Sequence, residues 1–307
     1  MTDAPREELR ALIRRHRLND VIFGIVGIFS LLIGIGTLLT LFGRLVLQGM
    51  ERLTPGFFVS FPSRFPDQAG ILSAWVGTVA VMVVTAAAAI PLGVAAGIYL
   101  EEYAPKNRLT SIIEINVTNL AGVPSIVYGL LALGLFVHTL GFGQSILSAG
   151  LTLALLILPI VIVSTREALR SVPGIIREGA YAMGATRWQL ISGHLLPYST
   201  GGIMTGIIIG LSRAIGETAP LVTIGALTFI AFLPHSPVTG TFPFISFQWL
   251  MDEFTVMPIQ MFNWTSRPEE EFQLNAAAAG VVLLAMTLAM NALAVWLRYR
   301  MRKKISW

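Results

Sequence analysis

Two charged residues, Arg213 and Glu217, stand in a stretch otherwise poor in charge, within Ser212-Arg-Ala-Ile-Gly-Glu-Thr-Ala-Pro220. A charge at membrane depth costs roughly 2.5–3.5 kcal/mol on insertion scales, so such a pair needs a reason. On a helix, side chains four residues apart share a face and partly neutralise each other. Gly202, Gly206 and Gly210 precede the pair at four-residue spacing. At about 100° per residue all five positions fall in one narrow stripe. Glycines so spaced let another helix approach closely, so the stripe is expected to face protein or a water-filled path. Two readings of the pair are open. It is an ion pair locking two helices, or Arg213 is a fork-shaped donor for an oxyanion, oriented by Glu217. Thr218 adds a hydroxyl beside the pair, and Pro220 is expected to bend the helix.

A second irregularity is Gly122-Val-Pro-Ser125. Pro124 has no N–H to give, so it frees a carbonyl in the preceding turn. Irregular backbone at membrane depth survives only when buried or facing water. Ser125 then faces the pathway, or the break serves packing alone. Gly93 and Gly97 read as a packing surface. There are no cysteines, and His16, His138, His194 and His235 are scattered, so no metal site is expected. None of the three lysines, Lys106, Lys303 and Lys304, follows a glycine, so a Gly-x-x-x-x-Gly-Lys-Ser/Thr phosphate loop is absent. If ATP drives this chain, a partner hydrolyses it, and this chain binds no cofactor.

The elements that hold these residues follow from composition. Of the 307 residues 54% are hydrophobic and 12% charged, against roughly 25% charged in a soluble domain. A water-soluble globular enzyme is excluded, and lipid is the expected solvent. Long charge-free stretches predict an all-α protein with six membrane helices near 21–47, 71–100, 115–138, 144–165, 199–232 and 275–297. His138 to Gln144 supplies the turn between the third and fourth. Residues 233–274 carry Pro234, Pro237, Pro243, Pro258 and Pro268 and read as an ordered extracytoplasmic loop. The first stretch is too long for the apolar core of a signal peptide, so it is expected to stay as a helix.

Sixteen of the 21 basic residues lie before the first span, after the second, after the fourth and after the sixth. Both termini are therefore expected in the cytoplasm, and the net charge of +4 reflects sidedness rather than nucleic-acid binding. The expected organisation is a basic N-terminus over 1–20, a first span and outer loop over 21–70, a five-helix core over 71–297 and a basic tail over 298–307. In the N-terminus Leu9, Leu12, Ile13 and His16 share one helix face. It lies on the membrane surface, or the segment is a solvated tail.

Between the fourth and fifth spans lies Ser171 to Pro197, SVPGIIREGAYAMGATRWQLISGHLLP. Pro173 suits a helix start, Gly184 suits a left-handed stop, and Ala185 to Leu195 suits a second helix at an angle. Such an elbow fits a partner's groove or is a plain interfacial linker. Glu178-Gly-Ala180, Gly184 and Leu196-Pro197 resemble the EAA loop of ABC importer permeases. Gly179 and His194 depart from the usual alanine and apolar residue. The resemblance implies that Glu178, Ala180 and Gly184 couple this chain to a cytoplasmic ATPase.

Ser212 to Pro220 and Ala121-Gly-Val-Pro-Ser-Ile-Val-Tyr-Gly-Leu-Leu131 resemble the signature stretches of phosphate-specific ABC permeases. The similarity extends through Glu101-Glu-Tyr-Ala-Pro105 and covers most of 71–230. Of the two permease types in that family, this chain is more similar to PstA than to PstC. The resemblance implies an ABC type I importer permease in a bacterial inner membrane. It also implies a PstC-like second permease, a PstB-like ATPase pair using ATP and magnesium, and a PstS-like extracytoplasmic phosphate-binding protein. Arg213, Glu217, Ser125 and Thr218 are the candidate pathway residues. A permease for sulfate or molybdate, a secondary transporter or channel, and a membrane scaffold are the alternatives.

Overall fold

The computed structural model describes the backbone of residues 4–238 and 244–302. The side chains of Leu9 and Leu12 and residues 303–307 of the tail lie outside the described part. Among the described residues the chain is helical, with one isolated bridge between Val238 and Ile245. Besides a short helix at Pro55–Val59, the α-helices among the described residues are α1 (Ala4–Gly49), α2 (Leu72–Ile98), α3 (Arg108–Leu120), α4 (Ser125–Ala132), α5 (Ile146–Arg170), α6 (Gly174–Ala182), α7 (Arg187–Leu190), α8 (Leu196–Ala214), α9 (Ala219–Ile224), α10 (Met257–Thr265) and α11 (Glu270–Arg302). Wide π-type turns extend α2 to Tyr103 and α4 to Thr139, and join α7 to α8 through Ile191–Leu195. Among the described residues five helical stretches are long and apolar enough to cross a membrane, or six if the bent pair α3–α4 is one span.

The centre of the bundle is α5, where Ile146, Ile157 and Val161 are fully buried. Glycines on both neighbours explain its position. A Cβ on Gly93 of α2 would lie 2.7 Å from Val161, and one on Gly97 would lie 2.7 Å from Thr165. From the other side, Gly202 and Gly206 of α8 sit against Ala168 and Ser164. Lipid tails are as apolar as leucine, so burial alone does not drive helices together here. Close backbone approach and dispersion do. Gly141 and Gly143, both left-handed, make the turn into α5, and the Ser145 hydroxyl accepts from Ser148 N–H at 3.3 Å to cap it.

α1 is one uninterrupted helix, so its basic start and the first span are continuous in backbone. It touches the rest of the protein at its far end, where Gly49 lets the backbone of Ala277 and Ala278 on α11 come close. Its membrane stretch is otherwise uncovered.

Three expected elements are corrected. The third span, 115–138, is two helices bent by 107° at Gly122-Val-Pro124. The break was expected, but the size of its angle makes α3 and α4 separate elements. The fifth span, 199–232, ends at Ala214. Its apolar continuation is the short α9 followed by irregular chain from Gly225, whose φ is +98°. Pro220 does not bend a long helix: it lies in the first turn of α9, where its missing N–H costs nothing. The expected second elbow helix, Ala185–Leu195, is not separate, because α7 runs on into α8.

The proline-rich 233–274 segment also holds a helix. Pro258 opens α10 rather than breaking it. Met257 N–H donates to Thr78 Oγ1 at 2.9 Å, and Gly77 leaves room for the Thr255 carbonyl. Thr78 is six residues into α2, about 9 Å from its start, so α10 dips into the bundle. Trp264 stacks there between Phe57 and Phe272, with ring centres 6.0 and 6.4 Å away.

Candidate functional site

Arg213 lies in the last turn of α8, where a cation favours the negative end of the helix dipole. Its Nε donates to Glu217 Oε1 at 3.2 Å. The chain tightens just there, with Gly216 N–H bonded to Arg213 C=O at 3.3 Å and Glu217 N–H to Ala214 C=O at 3.2 Å. The pair is half-open: the side chains are 37% and 19% exposed. The expected common stripe is split. Gly206 and Gly210 are buried on α5, whereas Arg213 stays on the uncovered side of α8 with Ile209 and Gly216. Nε takes the one hydrogen bond that Arg213 makes among the described residues. A guanidinium has five N–H donors, so most of the fork is free to meet an anion.

The two signature stretches meet beside this pair. α4 packs on α9, and a Cβ on Gly129 would come 2.7 Å from Pro220 Cα. Tyr128 donates its hydroxyl to Leu120 C=O at 2.8 Å. That bond spans the 107° break, to a carbonyl that also accepts from Val123 N–H at 3.1 Å and whose i+4 residue, Pro124, has no N–H to give. Ser125, at the start of α4, and Thr218, just before α9, are half-buried, and their hydroxyls make no hydrogen bond among the described residues.

At the other end of α8 the elbow has a packed inner face and a bare outer one. Ile176 and Ala180 pack on Leu169, Val172, Leu190, Ile191 and Leu195. Thus Ala180 serves the elbow's own core. Glu178, Ile175, Tyr181, Met183 and Trp188 face out, Met183 at 88% exposure. Gly184 has φ +80° and ends the first arm. Thr186 and Gln189 form a reciprocal cap that starts α7.

A charge cluster fastens this elbow to the bundle, and the sequence reading gave its members no role. Arg177 Nη2 donates to Glu102 at 2.8 Å and to Leu169 C=O at 2.9 Å. Arg170 Nε lies 2.9 Å from both Glu101 oxygens. The side chain of Arg166, 7% exposed, has Nη2 at 2.7 Å from Glu114 Oε1 and Nε at 3.5 Å from Glu101. Neither approach is aligned as a hydrogen bond, so Arg166 is held by charge rather than by directed donation. The i, i+4 arginines closing α5, and the Glu101-Glu102 pair already quoted, were the available signal.

Comparison with known proteins follows this geometry. The family described as "Binding-protein-dependent transport system inner membrane component" matches residues 89–306. The chain is 31% identical to "Phosphate transport system permease protein PstA" of Mycobacterium leprae, across 97% of this chain and 94% of that one. It is 30% identical to "Probable ABC transporter permease protein YqgI" of Bacillus subtilis, across 92% of this chain and 96% of that one. An inward-facing structure of the MetNI methionine ABC transporter superposes with TM-score 0.54 at 17% identity, covering 75% of this chain and 94% of that one. The last likeness concerns the fold.

Proposed function

The chain belongs to the family of binding-protein-dependent transport system inner membrane components, and from that premise we propose that the solute it carries is inorganic phosphate. It is an all-α, multi-pass membrane permease of an ABC importer, a transport component rather than an enzyme. The observation that carries the substrate reading is Arg213: a guanidinium on the uncovered side of α8 whose one hydrogen bond among the described residues is to Glu217. The similarity to PstA permeases supports the same reading.

In this reading both termini and the elbow lie in the cytoplasm, and the 233–274 segment lies outside. A PstS-like protein delivers phosphate at the outer face. A PstB-like ATPase pair binds ATP and closes beneath Ile175, Glu178, Met183 and Trp188. Because α7 and α8 are one rod, a displacement at Trp188 reaches Arg213 over about 40 Å of helix. Together with a PstC-like permease the rods change packing, and phosphate passes Arg213, Ser125 and Thr218. Glu217 keeps Arg213 from holding the anion too tightly. ATP can move phosphate uphill only if the inward and outward states differ in affinity for it.

The test is labelled phosphate uptake in cells lacking their own high-affinity system, with the whole set of partners expressed. An Arg213→Gln variant of normal membrane abundance is expected to lose ATP-dependent uptake. Retained uptake makes the pair structural. Sulfate or molybdate accumulating in place of phosphate overturns the substrate and leaves the permease assignment standing.

A further inference from the structure

Below Arg213, the seam between α8 and α11 carries polar side chains at seven-residue spacing. Ser212 donates to Asn291 Oδ1 at 2.6 Å, and Arg298 Nη1 donates to Thr205 Oγ1 at 2.9 Å. Seven residues is two turns, so each helix presents its two groups on one face. Arg298 is half-buried, and among the described residues no carboxylate pairs with it. In this it differs from Arg166, Arg170 and Arg177, each of which has an acidic partner.

The depth of Arg298 can be read along α11. Near the start of that helix Asn275 accepts from Arg52 Nε at 2.6 Å in the outer loops. Arg298 is 23 residues further, about 35 Å, which puts it at the inner edge of a hydrocarbon core about 30 Å thick. An arginine there ordinarily stretches outward to water or headgroups. This one turns onto Thr205 of a neighbouring helix instead. Thr205 is eight residues before Arg213, about 12 Å along the same helix. Four of the five Arg298 N–H donors remain without a partner among the described residues.

The geometry points to a second oxyanion site at the inner mouth of the pathway, with Arg298 as the binding cation and Thr205 as the hydroxyl that aims it. This rests on the reading of Arg213 as an oxyanion donor. One strong site would trap an anion in the membrane; a second site lower down draws it off, because conduction needs sites that also release. A transported phosphate and a lipid phosphate share the chemistry this site would bind.

The experiment uses the whole importer, with its partner permease, ATPase pair and binding protein, reconstituted in vesicles with and without phosphatidylglycerol. Labelled phosphate uptake and ATP hydrolysis are followed for the wild type, Arg298→Gln, Arg298→Lys and Thr205→Val. R298Q is expected to lower uptake per ATP about ten-fold, the loss of one charged hydrogen-bonding partner. The deficit is the same in both lipids, and the phosphate concentration for half-maximal uptake is unchanged, since outer delivery is untouched. R298K recovers part of the rate. T205V, which keeps the charge and removes only the aiming hydroxyl, loses less than R298Q and tests the site even if R298Q fails to assemble. Wild-type rates in R298Q, or a deficit seen only with phosphatidylglycerol, overturn the site, the latter assigning Arg298 to lipid. If the wild type carries sulfate and no phosphate, the substrate reading fails by itself, and Arg298 stands or falls on whether R298Q slows sulfate.

Discussion

Arg166 shows what holds a buried charge in this bundle. Its guanidinium is taken from water and placed between Glu101 of α2 and Glu114 of α3. The desolvation of such a group is offset only while both carboxylates remain. Arg166→Ala leaves Glu114 without a cation and Glu101 with Arg170 alone, and is therefore expected to cost about 1–3 kcal/mol, read as a fall in the unfolding midpoint of the purified protein in detergent. Glu167→Gln, on an exposed side chain whose one ion pair among the described residues is with its neighbour Arg170 at 3.6 Å, is expected to change stability by less than about 1 kcal/mol. Equal effects of the two would remove the distinction. At this scale the sequence located charges well and their partners poorly. Arg213 and Glu217 were legible because i, i+4 spacing is local. The ties of Arg166 to residues 65 and 52 positions earlier have no local signal, since they depend on which helices end up side by side.

Among elements, the elbow and the bend carry the argument. Gly184 holds φ +80°, a conformation that costs an ordinary L-residue roughly 1–2 kcal/mol. Gly184→Val is expected to cut phosphate uptake more than ten-fold while the partner ATPase still hydrolyses ATP, because the elbow no longer presents its outer face at the right angle. Gly184→Asn, which tolerates the left-handed region, is expected to keep most of the uptake. Unchanged transport in the valine variant would sink the coupling role. Tyr128→Phe removes the hydroxyl that spans the α3–α4 bend, a bond worth about 1 kcal/mol. A few-fold slower uptake with normal abundance is the expected result, and wild-type uptake shows that packing of Gly129 on Pro220 suffices. Glycine and proline explain what was legible here. Gly184, Pro124 and the turn from His138 to Gln144 were legible because glycine and proline act on their own residues. The end of α8 at Ala214 was not, because the run after it is apolar and hydropathy reports depth, not conformation. Pro258 misled for the opposite reason: proline breaks a helix interior but suits a first turn.

For the whole molecule, the number of crossings decides which side each terminus faces. Among the described residues five stretches qualify by length and composition, and the bent α3–α4 pair makes a sixth if it is one span. α4 with its wide turn spans 15 residues, from Ser125 to Thr139, about 22 Å, which falls short of a bilayer core of about 30 Å. The missing depth is supplied at the bend, where α3 turns away and exposes Leu109, Ile112 and Ile115 to its surroundings, as a helix lying in the inner interface does. On this account α4 still crosses, the chain has six passes, and His16 shares a side with Met183. If the pair did not cross, the passes after it would invert: the turn at Leu140 would share a side with His16, and Met183 would face the opposite side. The absence of native cysteine makes this measurable with single substitutions. With an impermeant thiol reagent on intact cells, His16→Cys and Met183→Cys are expected to stay unlabelled until the membrane is opened. Leu140→Cys and Ser236→Cys are expected to label at once. Labelling of Met183→Cys from outside, or of His16→Cys and Met183→Cys from opposite sides, would show that the bent pair turns back without crossing and would place the elbow out of reach of any cytoplasmic ATPase.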